Sequence, residues 1–140
     1  MPQSVIREIL ISDYARMIDL WKQSDGIGLS EADTEENIER FLKRNPGLSF
    51  VCVSGDNLLG TVLCGHDGRR GYIYHLAVET GSKRKHIGGD LMARALAQLR
   101  QMGILRCHLF LYDTNEDAKA FYERTGWMRR KNLLIYSKDI

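Results

Sequence analysis

Apolar positions recur along the chain with two periods, and the change from one to the other marks its elements. Val5–Leu10 reads as a short strand ending at Ser12-Asp13, residues suited to capping a helix. Tyr14, Met17, Ile18 and Trp21 then fall at helical spacing, and the helix should stop near Asp25-Gly26, before a flexible loop through Gly28. Asp33 with Glu36 has the spacing of a capping box and opens a second helix through Ile38, Phe41 and Leu42, ended by Asn45-Pro46-Gly47. Phe50–Val53 and Leu59–Leu63 flank Gly55-Asp56-Asn57 and predict a β-hairpin. After the turn at Asp67-Gly68, Tyr72–Val78 is a strand rich in aromatic and β-branched residues.

Gly88–Met102 carries a long helical stripe of Leu91, Ala95, Leu96 and Leu99, closed by Gly103. His108–Leu111 reads as a strand, Asn115–Arg124 as a helix stopped by Gly126, and Trp127 with Leu133–Tyr136 as strand again. The order β-α-α-β-β-β-α-β-α-β predicts an α/β fold, one mixed central sheet flanked by helices. With no repeats, linkers or low-complexity stretches, residues 1–140 read as a single domain.

Composition removes several classes of function. A chain of 140 residues buries about 68–70% of its unfolded surface, so it needs neither disulfides nor a structural metal. Twenty Lys and Arg against eighteen Asp and Glu leave +2, which argues against a nucleic-acid partner. Apolar runs fall short of the ~18 residues a membrane helix requires, so no membrane partner is expected. Arg7 and Glu8 lie where a signal peptide would be apolar, and Cys52, Cys64 and Cys107 sit in apolar runs like reduced thiols. These features point to the cytoplasm. The cysteines and histidines lack close-paired ligand spacing, so no metal is expected.

Two segments carry chemistry. After Val78 a strand runs through Gly81-Ser82-Lys83-Arg84-Lys85-His86-Ile87-Gly88-Gly89 straight into a helix. Free N–H groups at a helix start, the helix dipole, glycines and three basic side chains favour a phosphate-bearing ligand. Neither the Walker A pattern nor the dinucleotide G-x-G-x-x-G spacing is present. The second segment is Asn115–Trp127, where Ala118, Phe121 and Tyr122 share a helix face. Read by itself, Tyr122 is either a core tyrosine whose hydroxyl finds a partner or a proton donor at a cleft edge.

Together these segments resemble the GNAT superfamily of N-acetyltransferases. The family's cofactor motif, Arg/Gln-x-x-Gly-x-Gly/Ala, has Lys83 at its first position, His86 at its fourth and Gly88 at its sixth. Its later pattern, Asn-x-x-Ala-x-x-Phe-Tyr-x-x-x-Gly-Phe, is matched by Asn115, Ala118, Phe121, Tyr122 and Gly126, with Trp127 for Phe. Tyr74–Val78 looks like the family's pantetheine-contacting strand, and the element order agrees along essentially the whole chain. Lys83 keeps a charge but loses the planar fork, and His86 would crowd a pyrophosphate if its position needs positive φ.

The resemblance implies acetyl-CoA as co-substrate. Its pyrophosphate would lie on the N–H groups of Arg84, Lys85, His86, Ile87, Gly88 and Gly89, with Lys83 also binding the cofactor, and its pantetheine along Leu76, Ala77 and Val78. It also implies direct attack by an amine in a ternary complex, Tyr122 protonating the CoA thiolate and Asn115 hydrogen-bonding the cofactor. A homodimer is suggested as well. The acceptor would be a small-molecule amine or a peptide, bordered by Asp25, Glu31, Asp33 and Tyr74. Ser24–Glu39 holds six acids and no Lys or Arg, which would draw in a cation, although Glu35, Glu36 and Glu39 also suit a solvated helix face. Simple strand alternation puts Tyr72, Tyr74 and Leu76 on one face and Ile73, His75 and Ala77 on the other. No general base is assigned. The alternative is a non-catalytic acyl-CoA-binding or regulatory module of the same fold, for which His86 is the best argument.

Overall fold

The elements appear in the order β1 (Val5–Glu8), α1 (Tyr14–Lys22), α2 (Glu35–Arg44), β2 (Phe50–Ser54), β3 (Asn57–His66) and β4 (Gly71–Val78). They continue with α3 (Ile87–Gln101), β5 (Cys107–Leu109) and α4 (Glu116–Arg124), in a computed structural model describing residues 3–83 and 86–140. The strands form one sheet in the order β1-β2-β3-β4-β5, antiparallel except for the parallel pair β4 and β5. That is the predicted mixed α/β fold. Two compact units make it up, one ending at Phe110 and the other running from Leu111 to Ile140.

In the first unit, the helices cover opposite faces of the sheet. Met17, Leu20 and Trp21 of α1 and Ile38 of α2 bury against Val51, Leu63 and Ala77. On the other face, Leu91, Ala95 and Leu99 of the predicted α3 stripe are buried, Leu96 is only half-buried, and Ile87 at the start of the helix joins them. Two strand glycines let α3 approach. A Cβ on Gly71 would stand 2.6 Å from Leu99 Cδ1, and one on Gly60 3.0 Å from Leu91 Cδ1.

Three expectations are corrected. Asp13 precedes α1 but its side chain does not cap that helix; the buried carboxylate instead takes Arg7, Arg16 and the Leu10 amide at the start of the 3-10 turn Ile11–Asp13. Asp33 closes a capping box with Ser30 around a short 3-10 turn, Glu31–Asp33, while α2 starts from Thr34, whose hydroxyl accepts from the Asn37 amide (3.2 Å). A reciprocal Ser–Asp box closes the tighter turn first, and the helix then needs a fresh cap. The final strand does not form. Among the described residues Leu133–Tyr136 has no ladder partner and is exposed, and an apolar run without one has nothing to pair its backbone groups.

In the second unit, Asn115 Oδ1 accepts from the Ala118 amide (3.1 Å) and caps α4, and Gly126 ends it at φ +98°.

Candidate active site

β4 is broken by a bulge. Thr61 of β3 pairs with Ala77 and Leu63 with Tyr74, so β4 fits one more residue than β3 into the same interval. The bulge resets the alternation. Tyr74 meets Phe41 of α2 edge-on at 6.2 Å, while Ala77 joins the core beneath α1, so both look to the same side of the sheet. Simple alternation puts them on opposite faces, and the extra residue is the reason for the difference.

His75 lies in the bulge with φ +48°, the left-handed region. That conformation costs a non-glycine residue about 1–2 kcal/mol, and its neighbours hold it there. The Thr61 hydroxyl donates to the His75 carbonyl (2.8 Å) and accepts from the Trp21 indole N–H (2.9 Å). Trp21 and Thr61 are fully buried, and the Trp21 ring stands edge-on to the imidazole at 4.7 Å. His75 Nε2 lies 2.6 Å from Asp33 Oδ1, and Asp33 Oδ2 accepts from the Ser30 amide (3.0 Å). The Tyr14 hydroxyl donates to the Asp33 carbonyl. Burial first, then the Asp33 and Glu35 carboxylates, raise the Tyr14 phenol, so it keeps its proton.

Beside the bulge, β4 changes neighbours. It pairs with β5 only through Gly71, Tyr72 and Ile73, so among the described residues no strand covers that edge from Tyr74 to Val78. The edge carries backbone donors and acceptors, a template for an extended ligand. It leads into a pinned connection: Glu79 N donates to Leu59 O (2.9 Å), and Ser82 Oγ donates to Glu79 Oε1 (2.6 Å). The helix α3 then begins at Ile87 after His86 at φ +59°. Positive φ is therefore required at that motif position, and His86 carries the strain that glycine would avoid. Its side chain caps nothing and is exposed. The first amides of α3 have no carbonyl of their own helix to bond, and a Cβ on Gly89 would meet nothing within 4 Å. An unpaired strand edge running into an open helix N-terminus fits a ligand with an amide-bearing arm and a phosphate end.

The family model for the "Acetyltransferase (GNAT) family" matches residues 14–127. The chain belongs to the GNAT family. An acetyltransferase of Pectobacterium atrosepticum is 30% identical over 119 residues, covering 85% of this chain and 84% of its own. A GNAT acetyltransferase of Staphylococcus aureus has the same fold at a TM-score of 0.80 and 19% identity, over 95% of this chain and 90% of that one. The PaiA N-acetyltransferase of Thermoplasma acidophilum, solved with coenzyme A, gives 0.76 at 20% identity over 89% of each chain.

The GNAT motif residues divide between the two units. Leu76, Ala77, Val78, Lys83, His86, Ile87, Gly88 and Gly89 lie in the first, along the open edge and the start of α3; Arg84 and Lys85 lie outside the described residues. Asn115 and Tyr122 lie in the second. There Tyr122 is 9% exposed, packed edge-on to Phe121 (5.1 Å) and Trp127 (5.8 Å), and burial pushes its phenol up to about 12. The acidic candidates separate as well: Asp25 and Glu31 are exposed, whereas Asp33 is buried against His75. Tyr74 is 38% exposed, stacked on Tyr72 at 6.5 Å. Sequence reading missed the Trp21–Thr61 support of the bulge. Its one trace is Thr61, a hydroxyl in an otherwise apolar stretch of β3, where a buried polar group needs a partner.

Proposed function

We propose that the chain is one N-acetyltransferase domain over residues 1–140, moving an acetyl group from acetyl-CoA to a primary amine of a small molecule or peptide. The observation that carries this reading is the uncovered edge of β4 running into the amides of α3. Pantetheine amides would pair with that edge between Leu76 and Val78 as an added strand does, and the pyrophosphate would accept from the amides around Ile87–Gly89. Lys83, exposed in the turn before α3, adds positive charge there. The amine would attack the thioester carbonyl directly while both substrates are bound. Tyr122, protonated at neutral pH, would donate to the departing thiolate. Asn115 would bind the cofactor near the start of α4 with the amide nitrogen its capping role leaves over. The exposed carboxylates of Asp25 and Glu31, with the ring of Tyr74, would draw in a cationic amine.

Thermal unfolding tests the cofactor. A ligand that binds only the folded state adds about 2.7 kcal/mol at a hundred times its Kd, so acetyl-CoA should raise Tm. Phosphate-free pantetheine analogues should raise it much less; an equal shift would sink the phosphate reading. Gly88→Val should remove most of the acetyl-CoA shift while leaving the circular dichroism of the free protein unchanged. Binding of acetyl-CoA without CoA release on adding any amine would identify a non-catalytic acyl-CoA-binding module instead.

A further inference from the structure

An amine reaching a thioester in water arrives mostly as an ammonium ion, and it must lose a proton before it attacks. The group that takes that proton has to lie beside the acetyl end of the cofactor. On the reading above, the pyrophosphate sits at the start of α3 and the pantetheine runs back along β4 from Val78 to Leu76. The next residue is His75, in the bulge.

Glycine would form this bulge without strain, because φ +48° costs it nothing. The chain instead keeps a histidine there and anchors its ring on a carboxylate that is itself fixed by a capping box. A strained backbone carrying a reactive side chain points to a use for that side chain. The arrangement defines the use. A carboxylate only accepts hydrogen bonds, so the 2.6 Å contact between Asp33 Oδ1 and Nε2 calls for a ring proton on Nε2. The lone pair is then on Nδ1. Among the described residues no hydrogen bond reaches Nδ1 and no buried side-chain nitrogen or oxygen lacks a partner, so Nδ1 is not sealed off, in a side chain that is 15% exposed. Trp21 closes one side of the ring and contributes no charge. Of the other groups packed around it, the Tyr14 phenol bonds the Asp33 backbone and the Thr61 hydroxyl bonds the His75 carbonyl, leaving Nδ1 to the incoming amine.

We propose that His75 is the general base of the acetyl transfer, with Asp33 as the residue that sets its tautomer and orientation. This rests on the acetyltransferase reading. The ammonium gives one proton to Nδ1, directly or through a water. The neutral amine attacks the thioester carbon, and the C–N bond forms as the C–S bond breaks with its electron pair going to sulfur. The nitrogen's surplus proton balances the thiolate, which leaves as thiol. His75 returns its proton to solvent, so one proton is released per amide made.

The test starts with wild-type protein and acetyl-CoA against a panel of primary amines, with CoA thiol as the readout, and continues with the best acceptor found. His75→Gly relieves the backbone strain and His75→Asn keeps a residue at ease with positive φ, so both retain the bulge. Both should lose about 10²–10⁴-fold in kcat, the usual value of a positioned base, with the acetyl-CoA Tm shift unchanged. Added imidazole should restore part of the His75→Gly rate. Asp33→Asn should lose roughly tenfold or more in kcat and gain nothing from imidazole, because its own ring is still in place. Nitrogen-15 spectra at pH 9, with the His75 signal assigned by its absence in His75→Gly, should show the Nε2–H form in wild type and a mixture in Asp33→Asn. Wild-type turnover with His75→Gly within about threefold of it, or an Nδ1–H ring in wild type, would overturn the base while leaving the acetyltransferase reading intact. A wild type that transfers to no amine overturns that reading, and the base with it.

Discussion

Tyr122→Phe should lower kcat and kcat/KM together by about 10–100-fold, while the Tm of the free protein and the shift caused by acetyl-CoA stay close to wild type. The ring stays, and with it the edge-on contacts to Phe121 and Trp127, so α4 keeps its packing. Only the hydroxyl goes. Equal losses in the two constants mark an interaction made mainly in the transition state, as a donor to a departing thiolate would be. The size follows from acidity. Burial pushes the phenol up to about 12, whereas a free thiol ionises near 8.5, so complete transfer from phenol to thiolate runs uphill. Tyr122 therefore acts by hydrogen-bonding the developing negative charge, and the loss belongs at the low end of acid catalysis. The same acidity fixes a pH signature: Tyr122 holds its proton throughout pH 6–10, so it adds no alkaline fall to kcat in that range. A thioester with a more acidic leaving thiol should narrow the gap between wild type and variant. If chemistry limits turnover and the variant keeps wild-type kcat with both thioesters, Tyr122 is only a core residue.

Much of this arrangement is written in local patterns, and what is not depends on contacts between distant residues. The α3 stripe is legible because Leu91, Ala95 and Leu99 bury one face at helical spacing, and the fold meets that spacing as it stands. The extent of α4 is legible for the same local reason, since Asn115–Arg124 has a helical apolar pattern and Gly126 stops it. The bulge is not. No glycine marks it, and His75 adopts its conformation through Thr61 and Asp33, 14 and 42 residues away in the chain. A regular β4 would separate Tyr74 from Ala77, and the bulge brings them to one face. Asp33 misled for a related reason. Its spacing to Glu36 satisfies a capping box, but its spacing to Ser30 satisfies one too, and the sequence does not rank the two. At the chain's end, Leu133–Tyr136 has strand composition without a partner, and composition alone does not form a ladder. The cofactor motif was legible as a motif, yet the positive φ at His86 became visible only in the backbone itself.

Asp13→Asn should destabilise the fold by about 2–3 kcal/mol at neutral pH, the worth of hydrogen bonds to a charged group, without changing the sheet. The carboxylate is 1% exposed. Its Oδ2 accepts from Arg7 Nη1 (2.8 Å) and the Leu10 amide (2.9 Å), and its Oδ1 from Arg7 Nη2 and Arg16 Nη2 (both 2.8 Å). One group thus joins β1 to the start of α1, whose Trp21 supports the bulge. Asparagine fills the same space but offers one acceptor and turns an NH₂ toward two guanidinium groups. The arginines are 34% and 41% exposed, so water and salt offset part of the loss and keep it below that of a wholly buried pair. Burial alone would push the Asp13 carboxyl up. The Arg7 hydrogen bonds, the Leu10 amide and the two positive charges more than reverse that and hold it below the usual carboxylate range. A carboxyl depressed in the folded state stabilises fully above its unfolded value, about 3.9, and loses that stabilisation as pH falls through the lower folded one. Urea midpoints of wild type and variant should therefore run parallel from about pH 8 to 5 and converge below about 4. Protonated Asp13 is, like asparagine, a neutral group among cations, and a gap that persisted undiminished to pH 2 would mean that packing and not charge holds β1 to α1.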